Sequence, residues 1–388
     1  MTIHGGNAND HGFKLKSRQE VFFLCLILAI AAALRIYISF FTSLPNMHRD
    51  SGDYFKQAEA IVNGDYINYF PNGYPLLIAI ADWLPGPFSA DLMLWINIFM
   101  AVASIYFIYR ICRMIFRNQV HALFTVFLLA LLPTQVNLVR WLTSEVSVTF
   151  FLITAYLLYL RKNFIWAGIC FAMASFIRTE MLFIVMLIIT YELINDKRVN
   201  IRLILSVIIP LLLVGFWCKQ ETGEFAISGH GRVNIMYAIT ASGSDIDWEY
   251  IDKHPEIETE KQAVAAYFDH AKENPGQFVK QKANNLWEMW GVPSSADGTR
   301  GTAARIMITL SNFFLVVFGL VGWWLNRKRR DVFVLVFPFV VVTGLHTMMF
   351  SLQRYTFPVE PFLAVTAAWM LIKMIEKVKS KKSKIKNY

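Results

Sequence analysis

Residues 48–75 read HRDSGDYFKQAEAIVNGDYINYFPNGYP. Two aspartates, Asp50 and Asp53, stand near the start of this polar stretch, and aromatics and the turn Pro71-Asn72-Gly73-Tyr74-Pro75 close it. Upstream, residues 21–42 form an apolar run long enough to cross a bilayer, which takes roughly 20 helical residues. Downstream the apolar runs resume, so the stretch is the first outer loop of a membrane protein. Taken alone it has two readings. One is a solvated surface helix with Asp50 or Ser51 as its N-cap. The other is a loop that does chemistry.

The chain around it has 388 residues, 56% hydrophobic and 15% aromatic, with a mean hydropathy of +0.43. That is too apolar for a single soluble core. Ten runs are candidate spans: about 21–42, 92–109, 120–138, 144–160, 163–178, 180–195, 201–218, 306–326, 332–350 and 357–375. The expected fold is an all-α polytopic membrane protein, a bundle of about ten transmembrane helices with helices in its outer-face loops. Residues 50–63 and 75–84 mix apolar and polar residues at helical spacing, which predicts two short helices along the membrane surface. The first span is too long for a signal peptide and lacks a small-residue cleavage site, so it reads as a retained anchor.

Lysine and arginine set the orientation. With the N-terminus inside, the short inner segments hold 22 of the 37 basic residues, seven of them lysines of the tail after residue 372. The short outer loops carry only Arg49, Lys56, Arg140, Arg178 and Arg354. The positive-inside rule then places both termini in the cytoplasm of a multi-pass inner (plasma) membrane protein. The formal charge of +9 is mostly this topology signal and an attraction to anionic membrane lipids. No basic patch is interleaved with aromatics, which argues against nucleic acid.

Three regions follow. Residues 1–218 are a transmembrane bundle containing the first outer loop at 43–91. Residues 219–305, with 13 acidic and 9 basic residues, form a small helical outer domain. Residues 306–388 are the last spans and the basic cytoplasmic tail. Within the outer domain, 219–250 is rich in Gly and Ser and reads as a loop, whereas Val264, Tyr267, Phe268 and Ala271 recur at helical spacing. Asn274-Pro275-Gly276 ends that helix, and a second one follows.

Several chemistries lack a signature. The four cysteines imply no disulfide framework. There is no HExxH, CxxC, P-loop or GxGxxG, so a nucleotide-driven pump is disfavoured, no metal site is assigned, and a divalent cofactor is not indicated.

Polar residues within or beside spans are costly, which makes them candidates for function or pairing. Arg35 lies in the outer half of the first span, and snorkelling to the interface would explain it. Glu145 opens the fourth span and could complement that helix N-terminus. Arg178 and Glu180, in an outer turn, could pair with each other. His346 reads as a satisfied bundle histidine. Arg354 and Tyr355 could be an interfacial anchor pair. Collectively, Asp50, Asp53, Arg35, Glu145, Arg178, Glu180 and Arg354 all fall toward one face of the bundle. Arginine forks fit phosphate, carboxylates can accept a proton from a hydroxyl, and tyrosines such as Tyr54 and Tyr74 offer stacking surfaces for a sugar ring.

At four places the chain resembles the GT-C superfamily of polytopic glycosyltransferases, in particular the bacterial branch related to protein mannosyltransferases and aminoarabinose transferases. They are Asp50-Ser51-Gly52-Asp53-Tyr54 with the Pro71–Pro75 turn, Thr143-Ser144-Glu145, Ala174 to Glu180, and Gln353-Arg354-Tyr355-Thr356-Phe357-Pro358. Ser51 stands where that family often has Glu, and the chain lacks the large C-terminal outer domain of many relatives. The resemblance implies an inverting transfer at the outer face, from a polyprenyl-phosphate-linked sugar donor to a lipid, glycan or protein acceptor. It implies Asp50 as general base. Arg178 and Arg354 would hold the lipid phosphate, with Asp53, Tyr54, Tyr74, Glu180 and Tyr355 at the substrate and Arg35 and Glu145 in support. The alternatives are a transporter or flippase for lipid-linked saccharides, which would more often show internal repeats, and an enzyme like the O-antigen polymerases and ligases.

Overall fold

A computed structural model describes residues 15–42, 50–67, 69–82, 90–197, 200–291 and 302–386, with side chains as far as Lys379. The bundle begins with α1 (Ser17–Phe40). Two loop helices follow, α2 (Ser51–Asn63) and α3 (Gly73–Asp82). Then come α4 (Ala90–Phe116), α5 (Gln119–Leu131), α6 (Pro133–Asn137), α7 (Ser144–Leu160), α8 (Phe164–Ile177), α9 (Met181–Asp196) and α10 (Ile201–Thr222). A second loop region carries α11 (Gly231–Thr240), α12 (Tyr250–Lys253), α13 (Glu260–Glu273) and α14 (Pro275–Trp290). The chain closes with α15 (Thr302–Asn326), α16 (Arg330–Phe333), α17 (Phe337–Met348) and α18 (Glu360–Lys386). The described residues contain no strand, only one isolated bridge between Ser242 and Asp245.

Each of the ten apolar runs lies on helix, but they are not equal in length. Among the described residues, five stretches are long and apolar enough to cross a membrane: α1, α4, α10, α15 and Arg330–Met348. A sixth arises if α5 and Pro133–Arg140, bent by 60°, count as one span. Helices α7, α8 and α9 are only 17, 14 and 16 residues long, because tight turns at Arg161–Asn163 and Arg178–Glu180 separate them. The two loop helices fall close to the expected positions, and residues 43–49, 68 and 83–89 of the first loop lie outside the described part.

The reading of 219–250 as a loop is corrected. Helix α10 runs on to Thr222, and α11 occupies Gly231–Thr240. Its Ile235 and Met236 pack with Ile257 and Ala263 in a small cluster, so packing overrides the Gly- and Ser-rich composition. Helix α13 opens with the capping box Thr259/Gln262, and Pro275 starts α14 at a position where its missing N–H costs nothing.

Among lipid tails, apolar side chains gain little by leaving their surroundings, so helix contacts depend on close packing and hydrogen bonds. Helices α15 and α18 show both. A Cβ added to Gly322 would stand 2.2 Å from the Thr366 carbonyl oxygen, and Thr366 Oγ1 donates to Gly319 O at 2.8 Å. The opposite face of α15, with Ile306, Met307, Leu310 and Phe313, is exposed and lipid-facing in character.

The bend after α5 explains Arg35, which neither snorkels nor joins the charged cluster described below. It is fully buried and donates to Ala31 O at 3.0 Å and to Leu129 O and Ala130 O at 3.4 Å. Carbonyls in a helix's last turn lack partners in the helix, and a cation there also meets the negative end of its dipole.

Candidate functional site

The first loop is knitted before it is charged. Gln57 is buried and donates through Nε2 to Ile67 O (3.1 Å), Phe70 O (3.1 Å) and Asn72 Oδ1 (2.9 Å), while its Oε1 accepts from Phe70 N (2.8 Å). This draws Phe70 and the Pro71–Pro75 turn back onto α2. Gly73 then touches the end of α8 so closely that a Cβ there would meet Ile177 N and Phe176 C at 2.6 Å. Only glycine permits that approach. It places the first loop directly against the residue preceding Arg178.

Asp50 occupies the N-cap position of α2, yet its carboxylate makes no cap bond. It faces Arg354, whose Nη2 lies 2.5 Å from Oδ2. Arg354 Nε is also 3.5 Å from Glu145 Oε1. The same Glu145 oxygen pairs with Arg178 Nη1 at 3.3 Å, and Arg178 Nε donates to Glu180 Oε1 at 2.6 Å. One chain of charge, Asp50–Arg354–Glu145–Arg178–Glu180, thus joins the start of α2, the start of α7, the α8–α9 turn and the loop before α18. Burial alone would push the Glu180 carboxyl up, but the adjacent Arg178 guanidinium holds it well below the ordinary carboxylate range.

Aromatic rings cover this chain. Tyr355 stacks on His346 (centroids 4.0 Å, planes 23° apart), and its ring lies 4.7 Å from the Arg178 guanidinium carbon and 5.4 Å from that of Arg354. Tyr54 donates to Ser144 Oγ at 3.2 Å and meets Tyr74 edge-on at 5.0 Å. Tyr74 itself is fully buried, behind Tyr54.

The structure therefore brings together Asp50, Tyr54, Glu145, Arg178, Glu180, Arg354 and Tyr355, with Tyr74 supporting. Asp53 stands apart. Its side chain is 48% exposed and its ion pair, at 4.0 Å, is with Lys56 one turn on.

Sequence reasoning passed over three residues. His346 Nδ1 binds Phe350 O at 3.2 Å and its Nε2 lies 3.3 Å from Arg178 Nη2. The first contact needs a proton on Nδ1, which leaves Nε2 to accept from arginine. Its position inside an apolar helix was the available signal. His230, at the N-cap of α11, packs on Tyr69 (4.7 Å) and Phe70 (5.0 Å); burial pulls its pKa down to about 4, against the attraction of Asp50. Glu360 is fully buried and accepts from Thr134 Oγ1 (2.5 Å), Gln135 Nε2 (2.9 Å) and Thr356 Oγ1 (2.8 Å), pinning the loop that carries Arg354 and Tyr355. Nothing local to Glu360 in sequence marked it. No group of three or more His, Cys, Asp or Glu among the described residues is arranged to hold a metal ion.

Fold and site together describe a polytopic helical membrane protein that carries a buried cluster of arginines and carboxylates. Residues 71–218 match the family model described as dolichyl-phosphate-mannose-protein mannosyltransferase. That stretch includes Tyr74, Glu145, Arg178 and Glu180 but neither Asp50 nor Arg354. No curated protein matches the sequence. Among solved structures, the chain is similar to the oligosaccharyltransferase AglB from Archaeoglobus fulgidus in complex with an inhibitory peptide and a dolichol-phosphate. The TM-score is 0.54 at 14% identity, over 96% of this chain and 52% of that one. It is also similar to the Archaeoglobus fulgidus oligosaccharyltransferase tethered to an acceptor peptide containing the NVT sequon, with TM-score 0.56 and 15% identity over 93% and 50%. ArnT from Cupriavidus metallidurans bound to undecaprenyl phosphate has a TM-score of 0.42 at 11% identity, over 91% and 78%. The chain spans about half the length of the oligosaccharyltransferases it matches.

Proposed function

We propose that this protein is a glycosyltransferase that moves a sugar from a polyprenyl-phosphate donor to an acceptor hydroxyl at the outer face of the membrane, with inversion. The observation that carries the reading is the position of Arg354 between Asp50 and Glu145. Three carboxylates (Asp50, Glu145, Glu180) face two guanidiniums (Arg178, Arg354), so both arginines are already paired. An incoming phosphate competes for one of them. Asp50 is the weakest holder by burial, its side chain being 23% exposed against 3% for Glu145 and 18% for Glu180. Donor binding exchanges Asp50 for phosphate at Arg354, and the released carboxylate becomes a better base.

The step balances simply. The acceptor hydroxyl gives its proton to Asp50, and its oxygen attacks the anomeric carbon from the face opposite the phosphate. The bond from that carbon to the phosphate oxygen breaks, and polyprenyl phosphate leaves with the electron pair. Arg354 and Arg178 stabilise the charge that develops on it. A positioned base contributes roughly 10²- to 10⁴-fold. Glu145 keeps the two guanidiniums aligned, and Tyr54 and Tyr355 supply rings against which a sugar can lie.

The dolichol-phosphate in the similar AglB structure supports the donor class. The test is transfer in membranes from a radiolabelled polyprenyl-phosphate sugar. Activity lost in Asp50→Asn with donor binding retained supports the reading. Full turnover in Asp50→Asn and Arg354→Ala alike removes it and leaves a carrier of lipid-linked saccharides as the better account.

A further inference from the structure

Helix α17 ends at Met348 without a glycine cap; Met349 takes φ −85° and ψ −104°. The last carbonyls of a helix have no partner inside it. Here side chains meet five in succession. Ser351 Oγ donates to His346 O (2.9 Å), Asn285 Nδ2 to Thr347 O and Met349 O (both 3.1 Å), Tyr267 OH to Met348 O (2.6 Å), and His346 Nδ1 to Phe350 O (3.2 Å). Three of these five bonds come from α13 and α14, in the second loop region. Asn285 is fully buried, and its Oδ1 accepts from Gly243 N at 2.8 Å. Gly243 has φ +67°, a conformation in which other residues are strained. Trp290 Nε1 adds a bond to Thr343 Oγ1 at 3.1 Å.

The carbonyls so held lie between two parts of the charged cluster. His346 bears the first of them, and the loop they begin carries Arg354 and Tyr355. That loop is buried; Ser351, Gln353, Arg354, Tyr355 and Thr356 all have little exposure. A buried loop needs its backbone groups satisfied from elsewhere, and its course is set by whatever satisfies them.

We propose that the α13–α14 segment is an external cap of α17, and that Asn285 and Tyr267 are positioning residues that set where Arg354 and His346 stand. The segment thereby governs the grip on the phosphate of the lipid-linked donor, which rests on the reading of Arg354 given above. Its amide and phenol do not act on the substrate; they fix the exit of the chain from α17. Loosening that exit shifts a guanidinium that must match a phosphate in distance and angle, and misplacements of about 1 Å can cost on the order of 100-fold.

The experiment measures equilibrium binding of dolichyl phosphate to the full chain in lipid nanodiscs. The variants are Asn285→Leu, Tyr267→Phe, Arg354→Ala and the double variant Asn285→Leu/Arg354→Ala. Asn285→Leu is expected to weaken binding about 10- to 100-fold. Tyr267→Phe, which loses one hydroxyl and serves if the buried Leu variant does not fold, is expected to weaken it about 2- to 10-fold. Its double variant with Arg354→Ala replaces the Leu double variant in that case. In the Arg354→Ala background neither substitution is expected to weaken binding further, whereas a general structural role would act in both backgrounds. Weak binding in Arg354→Ala with normal binding in Asn285→Leu and Tyr267→Phe overturns the cap and keeps the phosphate reading. Normal binding in Arg354→Ala overturns the phosphate reading and, with it, positioning through Arg354. Equal losses from Asn285→Leu in both backgrounds overturn the positioning role alone.

Discussion

Asp50 and Arg354 are 304 residues apart in sequence and 2.5 Å apart in space. One stands at the N-cap of α2, the other in the short 3₁₀ turn Gln353–Thr356 before α18. Their pairing closes the cluster on the side where the first loop meets the last helices. It also keeps the Asp50 carboxylate on Arg354 while no phosphate is present.

The pairing makes Asp50→Asn act in two opposite directions. Transfer is expected to fall by roughly 10²- to 10⁴-fold because the amide cannot take the proton. Binding of polyprenyl phosphate is expected to tighten, because Arg354 loses the nearer of the two carboxylates that pair with it; a hydrogen bond to a charged group is worth about 1.5–3 kcal/mol, or roughly 10- to 100-fold. Equilibrium binding and initial rates on the same preparation check both. Weaker binding in the variant would contradict the exchange at Arg354.

Asp53→Asn is expected to leave kcat/KM within about twofold of the wild type. Its exposed pair with Lys56 belongs to a class worth about 0–1 kcal/mol. A dead Asp53→Asn enzyme in the same transfer assay would move the base three residues along the chain.

Gly73→Ala tests how the first loop sets Arg178. The added methyl would meet backbone atoms of Phe176 and Ile177 at 2.6–2.7 Å, so one backbone must move. Overpacking of this kind costs about 1–3 kcal/mol. The expected outcome is a lower thermal midpoint together with a loss of transfer larger than an equally destabilised control shows. Gly322→Ala, which would meet Thr366 O at 2.2 Å on the α15–α18 contact, is that control.

His230 predicts a pH dependence of stability. Burial lowers its folded pKa to about 4, while an unfolded histidine titrates near 6.5. Between these values the unfolded chain binds more protons, so stability rises with pH. The contribution is complete above about pH 6.5 and is lost as pH falls toward 4. Glu180, held low by Arg178 despite burial, acts in a lower window, beginning near the ordinary carboxylate pKa of about 4.3. Thermal midpoints measured from pH 7 to 4 are expected to fall less steeply in His230→Phe than in the wild type. Parallel curves would remove the assignment.

Much of this architecture was written locally. Apolar runs of span length, polar turns between them and the Asn274-Pro275-Gly276 break place the helices, because a helix is specified by neighbours within a few residues. The clustering of Asp50, Glu145, Arg178, Glu180 and Arg354 toward one end also follows from span order. What the sequence left open was decided by packing at long range. Asp50 and Asp53 are the same residue type on the same stretch, and only the far end of the chain, arriving with Arg354, distinguishes them. Arg35 has the composition of a site residue, but the bend at Pro133 leaves carbonyls that claim it. His346 looked like a core histidine until Tyr355 and Arg178 were set beside it, and Asn285 carried no sign of its tie to α17. Local propensity and hydropathy determine which segments are helices. Which charge meets which is fixed by contacts between residues hundreds of positions apart, and those exist only once the bundle has closed.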